Sequence, residues 1–371
     1  MKKTEVELRF ANPRAQYLSM KDEIDLAISK VLDSESYILG HEVAAFEQEF
    51  SSYIGTSFAI GVNSGTDALI LSLRALNIGI GDEVIVPSFT AVATVAAVTA
   101  VGATPILIDI DPLTYSMDVS RLDSSRTEQT KAVIAVHLYG HPAEIDTIAK
   151  WCESNNIFLI EDCAQAHGAM WNSRKVGTFG KIACFSFYPT KNLGGIGDGG
   201  GIVTNDPLLN ERLIELRQYG WDRSRDARIA SSISRLDEIQ AAILRVKLRH
   251  LDQKNSSREG IANFYLQNLD PIKFGLPFVS AGAKHVFHLF VVRVANRSNL
   301  IRQLNEFNIH PGIHYPLPVH LNFAYKGLGE NLKAPLTNTE LAAQSVISIP
   351  MYPELTEKEI SYVAEVLNRV S

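Results

Sequence analysis

The sequence predicts an α/β fold in which helices wrap a mostly parallel β-sheet. From about residue 57 to residue 204, short apolar, β-branched runs alternate with amphipathic runs. Seven runs have the length and composition of strands: SFAIGV, EVIVPSF, TPILIDI, AVIAVHLYG, IFLIEDC, ACFSFY and GGIVTN. Between them lie helical patterns such as TDALILSLRAL, AVATVAAVTAVG and EIDTIAKWCESN. Strands that alternate with helices build a parallel sheet covered on both faces.

The carboxyl-terminal third predicts a smaller α+β domain. Residues 206–218 and 235–268 have helical patterns, and the second is long and charged on one face. Three further elements follow: HVFHLFVVRVA, SNLIRQLNEF and TEKEISYVAEVLNRV. Because 371 residues exceed what one ordinary core holds, we predict a large domain over residues 1–245 and a small domain over residues 246–371.

The composition excludes several classes of protein. The formal net charge is −6 and the basic residues are scattered, so the basic patch of a nucleic-acid-binding protein is missing. No apolar run reaches the roughly 18 residues of a membrane span, and the amino terminus lacks a signal-peptide pattern. We therefore expect a cytoplasmic protein without a membrane partner. The three cysteines form no close pair, which argues against a disulfide framework or a thiolate metal site.

The stretch SFYPTKNLGGIGDGGG, residues 186–201, places six glycines behind Lys191. A lysine in a tight, desolvated loop has a lowered pKa and can act as a nucleophile. Gly195, Gly197 and Gly200 match the dinucleotide-binding pattern G-x-G-x-x-G. That fingerprint must open a helix, whereas this one runs into the strand-like GIVTN, so we reject it. Lys191 also precedes its glycines, unlike the lysine of a nucleotide phosphate-binding loop.

Asp162 supplies a chemical complement to Lys191. It ends the apolar strand IFLIEDC, where a buried carboxylate needs a cationic partner or a ligand. Pyridoxal phosphate requires a lysine for its aldehyde, a carboxylate for its ring nitrogen, donors for its phosphate and a partner for its phenolic oxygen. In GVNSGTDALILSL, Gly65 and Thr66 open a helix, and a helix amino terminus favours phosphate. An ordinary N-cap by Ser64 or Thr66 is the alternative there.

Four strings resemble a known family: EDCAQAHGA, FSFYPTKNLGGIGDGGGIVTND, SRLDEIQAAILRVKL and HYPLPVHLNFAY. They are similar to the sugar aminotransferases of the DegT/DnrJ/EryC1/StrS family, in register from about residue 10 to the carboxyl end. The resemblance implies the aspartate-aminotransferase-like, type I pyridoxal phosphate fold. It also implies pyridoxal 5'-phosphate as cofactor, with Lys191 as the Schiff-base lysine and proton shuttle.

The resemblance assigns further residues around the cofactor and the sugar. Asp162 becomes the partner of the pyridine nitrogen and Gln165 the partner of the phenolic oxygen. The implied phosphate contacts are Ser186, Ser64, Gly65 and Thr66; the other cofactor contacts are Phe89 and His167; the sugar contacts are Tyr188, His314, Tyr315 and His320. Ser186 could instead satisfy the sheet edge, and His167 could be a buried, hydrogen-bonded histidine.

A metal site is not expected. His310, His314 and His320 are clustered in the sequence, but Pro311 and Gly312 break the helix that a ligand pair four residues apart requires.

Two positions depart from the family pattern. Ala91 stands where the family often has an aromatic residue that stacks on the cofactor ring, and Ile233 stands where an asparagine commonly reaches the neighbouring subunit's phosphate. Residues 222–234 also lack the usual glycine.

The resemblance implies a ping-pong transamination with glutamate as donor and a nucleotide-linked keto-deoxysugar as acceptor. A dTDP-3-keto-6-deoxyhexose is the expected sugar, in amino-sugar biosynthesis for a surface polysaccharide such as lipopolysaccharide, or for a glycoside. A homodimer with active sites at the subunit interface is expected. The alternatives are a 4-keto-sugar aminotransferase, a sugar 3-dehydratase and a non-catalytic regulatory protein that binds pyridoxal phosphate. The dehydratases carry histidine at the position of Lys191.

Overall fold

The computed structural model describes residues 7–329 and 332–370; the first six residues of the amino-terminal segment considered above lie outside them. The strands are β1 (Leu8–Arg9), β2 (Phe58–Val62), β3 (Glu83–Pro87), β4 (Thr104–Ile108), β5 (Thr130–Val136), β6 (Phe158–Asp162), β7 (Met170–Trp171), β8 (Arg174–Lys175), β9 (Ile182–Ser186), β10 (Gly200–Thr204), β11 (Ala283–Lys284), β12 (Phe290–Arg293), β13 (Ile309–His310) and β14 (Val346–Ile349).

The α-helices alternate with these strands over the first half of the chain. They are α1 (Pro13–Leu18), α2 (Lys21–Leu32), α3 (His41–Ile54), α4 (Gly65–Ala75), α5 (Val92–Ala100), α6 (Leu122–Ser125), α7 (Ile145–Ser154), α8 (Pro207–Leu216), α9 (Glu238–Asn268), α10 (Arg297–Glu306), α11 (Lys326–Gly329), α12 (Thr337–Ser345) and α13 (Glu357–Val370). None of the described helices combines the length and the apolar character needed to cross a bilayer.

The central sheet has seven strands in the order β2-β10-β9-β6-β5-β3-β4. All neighbours are parallel except β10, which runs antiparallel to both β2 and β9. The seven predicted strands are these seven. Most of their apolar residues are buried, as in Ala132–Val136 of β5, because helices cover the sheet. The predicted α/β fold is therefore confirmed.

Smaller sheets complete the fold. β1 pairs parallel with β13, β12 pairs antiparallel with β14, and β7 pairs with both β8 and β11. These strands have two to four residues each, too few for a sequence period to show.

A second hydrophobic core joins the carboxyl-terminal half of α9 to β12, β14, α10 and α13. Its buried members include Tyr265, Phe290, Leu304 and Val363. The predicted domain boundary between residues 245 and 246 falls inside the 31-residue helix α9, and the division at that point stays a prediction.

The sheet topology determines where a site can form. Because β3, β5, β6 and β9 are parallel, their carboxyl ends meet at one edge of the sheet. Asp162 and Ser186 end β6 and β9 at this edge.

Candidate active site

Lys191 lies in the loop between β9 and β10, and Asp162 is the last residue of β6. Asp162 is 5% exposed, while Lys191 keeps partial exposure. Burial lowers the pKa of Lys191 to about 8, and the charge of Asp162 acts in the opposite direction. The structure thus brings together the two residues that the sequence paired.

The carboxylate of Asp162 retains capacity to bind a ligand. Its Oδ2 accepts a hydrogen bond from Thr94 Oγ1 at 2.9 Å, and its Oδ1 accepts one from the Ala164 amide at 3.1 Å. A carboxylate has roughly four acceptor positions, so about half are unused. Burial raises the pKa of Asp162, whereas the bonds from Ala164 and Thr94 and the charge of Lys191 lower it. A protonated ring nitrogen would satisfy this buried acid, so the site fits pyridoxal phosphate.

Gln165 links the segment after Asp162 to the carboxyl-terminal part of the chain. Its side-chain oxygen accepts a hydrogen bond from the Tyr139 amide at 2.7 Å, and its amide nitrogen donates to Tyr315 Oη at 3.0 Å. The hydroxyl of Tyr139 donates to the carbonyl of His314. Burial raises the pKa of Tyr315 to about 12. These bonds place two predicted sugar contacts beside a predicted cofactor contact.

The amino terminus of α4 meets the end of β9. A Cβ on Gly65 would lie 2.7 Å from Ser186 Cβ, so only glycine allows this approach. Ser64 caps α4, because its hydroxyl accepts a hydrogen bond from the Asp67 amide at 3.1 Å. Thr66 follows in the first turn. The four predicted phosphate contacts therefore form one group at the helix amino terminus.

His167 is fully buried, and its ring lies 5.5 Å from that of Phe185 and 5.9 Å from that of Phe187. Burial lowers its pKa to about 3, and the charge of Lys191 acts in the same direction. No described residue gives its ring nitrogens a hydrogen bond of good geometry, although a weaker contact with the Ser186 backbone raises the pKa slightly. His167 is therefore neutral.

The sequence profile of the DegT/DnrJ/EryC1/StrS aminotransferase family matches residues 18–368. The chain belongs to this family. It is 45% identical to the dTDP-3-amino-3,6-dideoxy-alpha-D-galactopyranose transaminase of Aneurinibacillus thermoaerophilus, over 98% of both chains. It is 42% identical to the UDP-N-acetyl-3-dehydro-alpha-D-glucosamine 3-aminotransferase of Acidithiobacillus ferrooxidans, over 96% of both chains.

A solved structure shows the same fold. DesV of S. venezuelae, in complex with a ketimine intermediate, matches with a TM-score of 0.94 and 42% identity, covering 98% of each chain. Solved relatives also carry pyridoxal phosphate or its pyridoxamine form. The predicted family, its fold, its enzyme class and pyridoxal phosphate as cofactor are confirmed.

In this aminotransferase, His314 interacts electrostatically with Lys191, and Tyr188 contacts Lys191 through the main chain. The ring of His314 contacts those of Phe10 and Tyr315, with centroids 5.0 and 5.7 Å apart. Burial lowers the pKa of His314 to about 4, and the charge of Lys191 adds to this effect. Tyr188 is 52% exposed, and its carbonyl accepts a hydrogen bond from the Lys191 amide at 2.8 Å.

Two further predicted positions, His320 and Phe89, make contacts within the core. His320 is buried in the 3-10 helix Val319–Leu321, and its Nε2 lies 3.4 Å from Glu340 Oε1. Its contacts are with α12, so its role toward the sugar stays a prediction. Phe89 is buried between the rings of Tyr115 and Tyr315, with centroids 6.2 and 6.3 Å apart.

The two positions that depart from the family pattern have structural settings of their own. Ala91 is the N-cap residue of α5. Ile233 forms an isolated antiparallel bridge with Gln218 and is 40% exposed.

Sequence reasoning missed several polar residues of the aminotransferase site. Thr94 bonds Asp162, and Asn192 Oδ1 lies 3.1 Å from His288 Nδ1. Thr94 lies in the first turn of α5, which follows β3, and a hydroxyl close to the carboxyl end of a parallel strand could have indicated it. Tyr139 and His288 carry no comparable signal, because neighbours distant in the sequence bring them to the site.

Among the described residues, His137, Glu161 and Cys163 have potential metal-ligating atoms within 4.8 Å of one another. Glu161 already accepts hydrogen bonds from three main-chain amides, and His137 Nδ1 accepts one from Ala143. Burial raises the pKa of Cys163 well above its usual value, which keeps the thiol protonated. This cluster is a hydrogen-bonded part of the core.

Proposed function

We propose that this aminotransferase moves the amino group of glutamate to the keto carbon of a nucleotide-linked keto-deoxysugar, with a dTDP-3-keto-6-deoxyhexose as the first candidate. The observation that carries the proposal is the pairing of Lys191, a lysine of lowered pKa, with Asp162, a carboxylate that has free hydrogen-bond acceptor positions. The names of the two relatives support amination at carbon 3. One name refers to a dTDP-linked sugar and the other to a UDP-linked sugar.

The cofactor's place follows from the hydrogen-bonding capacity of the residues. When bound, pyridoxal phosphate supplies an electron-withdrawing ring that stabilises the negative charge left when a hydrogen leaves the amine-bearing carbon. Asp162 would hold the protonated ring nitrogen. Gln165 would donate its second amide hydrogen to the phenolic oxygen. Ser186, with Ser64, Gly65 and Thr66, would hold the phosphate, and Phe89 and His167 would line the ring.

Lys191 would bind the cofactor covalently and carry the proton. With a pKa of about 8, both its ammonium and its free amine are populated near neutral pH. The Nζ atom can therefore release and take up a proton during one turnover. An unperturbed lysine would remain an ammonium under the same conditions.

The sugar would meet uncharged groups. His314 is neutral at physiological pH because its pKa is about 4, and burial keeps the hydroxyl of Tyr315 protonated. Such groups exchange hydrogen bonds with sugar hydroxyls without the desolvation cost of a charge. We include Tyr188 and His320 as further sugar contacts on the basis of the family resemblance.

We also propose a cytoplasmic homodimer with active sites at the subunit interface, active in amino-sugar biosynthesis for surface polysaccharide or glycosides. Tyr188 and Ile196 flank Lys191 and are 52% and 47% exposed. Apolar side chains exposed beside a catalytic loop support a surface covered by a second subunit. Sedimentation at several concentrations would test the dimer.

The test begins with the absorbance of the purified protein after loading with pyridoxal phosphate. We expect a visible band from cofactor bound through Lys191, which moves to the near ultraviolet when glutamate is added, with release of 2-oxoglutarate. The aminated enzyme is then offered a dTDP-3-keto-6-deoxyhexose, its 4-keto isomer and a UDP-linked 3-keto sugar. Mass spectrometry of the products identifies the acceptor.

The outcomes separate the alternatives. An amino sugar formed only from the 4-keto isomer would replace the carbon-3 assignment. A bound cofactor that glutamate leaves unchanged would favour the regulatory, non-catalytic protein.

A further inference from the structure

Three polar side chains of α9 face the loop that carries Lys191. Gln240, Lys247 and Asn255 follow one another at spacings of seven and eight residues. At about 100° per residue, these spacings place them within about 80° of one another around the helix axis. They therefore form a stripe along one face, which we call the α9 stripe.

The side-chain amide of Gln240 forms a pair of hydrogen bonds with the main chain of the loop. Its Oε1 accepts a hydrogen bond from the Ile196 amide at 2.8 Å, and its Nε2 donates to the Ile196 carbonyl at 3.1 Å. A Cβ on Gly195 would lie 2.6 Å from Gln240 Oε1, and a Cβ on Gly197 would lie 2.8 Å from Nε2. Two of the glycines behind Lys191 thus leave room for Gln240.

Lys247 is 4% exposed and holds the same loop two turns further along the helix. Its Nζ donates to the carbonyl of Gly194 at 2.6 Å and to Gln16 Oε1 at 2.9 Å. Both hydrogen-bond partners are neutral; burial lowers the pKa of Lys247 to about 8, and the charge of Glu354 acts in the opposite direction. A buried amine held by neutral groups costs stability that an apolar side chain would not cost. What the amine provides in return is the hydrogen bond to the Gly194 carbonyl, which an apolar side chain could not form.

Gly194 lies against the residues that precede Lys191 in the chain. A Cβ there would lie 2.6 Å from the Pro189 carbonyl oxygen and 2.8 Å from that of Tyr188. The chain therefore folds back on the residues just before Lys191. A bond that fixes the Gly194 carbonyl fixes both ends of the turn containing Lys191.

Asn255 joins the two halves of the active site. It is 4% exposed, its Oδ1 accepts a hydrogen bond from Asn192 Nδ2 at 2.8 Å, and its Nδ2 donates to the His167 carbonyl at 2.8 Å. Asn192 directly follows Lys191, and His167 lies five residues after Asp162. One side chain thus sets the distance between the lysine loop and the segment that follows the carboxylate.

We propose that Gln240, Lys247 and Asn255 are positioning residues that hold the loop of residues 188–197 so that Lys191 stays desolvated beside Asp162. The proposal rests on the proposed function only in taking Lys191 as the reacting amine. The fastening of the loop follows from the contacts and can be measured without turnover.

The first test is amide hydrogen exchange of the full-length protein, followed by mass spectrometry. In Gln240→Met and Lys247→Met, we expect exchange in residues 188–197 to rise by about tenfold or more, with the distant strands β3 and β4 unchanged. Gln253→Met and Arg249→Met make the same kinds of change at exposed positions of α9 and should leave the loop unchanged. Unchanged exchange in the loop, or equal acceleration throughout the sheet, would overturn the proposal.

The second test measures Lys191 itself through the pH dependence of its labelling by an amine-reactive reagent in cofactor-free protein. We expect its pKa to move from about 8 toward the ordinary lysine value of 10.5 in both stripe variants, and to stay in place in both controls. A looser loop with an unchanged pKa would contradict the positioning role. If loop exchange and the pKa of Lys191 both rise as expected but the unsubstituted protein shows no turnover, the positioning role stands and the proposed function is contradicted.

Discussion

Glu161 and Asp162 are consecutive carboxylates at the end of β6, and the sheet gives them different environments. Because neighbouring side chains in a strand point to opposite faces, the two carboxylates are buried on opposite sides of the sheet. Glu161 accepts hydrogen bonds at 2.7 Å from three main-chain amides, those of Gly177, Phe179 and Gly180. Its fourth partner is His137 Nε2 at 3.1 Å. From the part of the chain that the structure describes, Asp162 accepts two hydrogen bonds, one from the Thr94 hydroxyl and one from the Ala164 amide.

This difference separates a carboxylate with a structural role from the carboxylate that we propose binds the cofactor. The four donors use the acceptor positions of Glu161, so it fastens the turn at residues 177–180 and can bind nothing else. Asp162 keeps acceptor positions free in a buried place, where leaving them unsatisfied costs stability. The charge of Lys191 also acts on Asp162 and lowers its pKa, so the carboxylate with spare capacity is the one that interacts with the lysine.

The largest expected loss of activity is at Lys191, whose charge acts on Asp162. Lys191→Ala should lower the rate of amino-sugar formation by at least about 10³-fold, because the covalent attachment and the proton carrier are both lost. The rate is measured by chromatography of the amino sugar. Lys181→Ala, at an exposed lysine paired with Asp206, is the control and should keep full activity. A Lys191→Ala protein with substantial turnover would break the assignment.

Exchanging each carboxylate for its amide should separate activity from stability. Asp162→Asn should lower activity by about 10²- to 10³-fold, while the free energy of unfolding changes by less than about 1 kcal/mol, since a buried charge is removed. Activity assays and urea unfolding measure the two quantities.

Glu161→Gln should show the converse. Its amide group would face donors that need an acceptor, so the free energy of unfolding should fall by about 2–4 kcal/mol. Activity at temperatures where the variant is folded should stay within about threefold of the unsubstituted protein. Equal losses of stability in the two variants would remove the distinction between them.

The pKa of Lys191 distinguishes the two carboxylates directly. The charge of Asp162 favours the ammonium form, so Asp162→Asn should lower the pKa of Lys191 below its value of about 8. Glu161→Gln should leave it unchanged. The pH dependence of Lys191 labelling in cofactor-free protein reports both. A rise of the Lys191 pKa in Asp162→Asn would have the wrong sign for the loss of a nearby negative charge.

A smaller loss of activity than in Asp162→Asn is expected at Thr94, whose hydroxyl donates a hydrogen bond to Asp162. Thr94→Val should raise the pKa of Asp162 further, because a hydrogen bond to the charged form is lost. Activity should fall by about tenfold. Thr99→Val, at an exposed position of the same helix, is the matched control. Activity equal in both variants would show that the Thr94 bond is dispensable.

The sequence predicted the parts of this molecule that depend on local pattern. The seven runs of apolar, β-branched residues became the seven strands of the central sheet, since alternation with helices leaves few other arrangements. The helices predicted over residues 206–218 and 235–268 appear as Pro207–Leu216 and Glu238–Asn268. The short strands could not be predicted, because β1 and β13 pair across 300 residues through two residues each.

The sequence also determined the chemistry, because Lys191, Asp162 and Gln165 stand in a pattern that specifies a pyridoxal phosphate enzyme of one family. The tertiary structure decided which of the two acids retains capacity for a further ligand and what the glycines accommodate. Glu161 and Asp162 look alike in IFLIEDC, and only the arrangement of amides and hydroxyls around each shows that one is saturated. Gly195 and Gly197 leave room for Gln240, a residue more than forty positions away. Hydrogen-bond saturation and close packing depend on neighbours that the chain brings together only by folding.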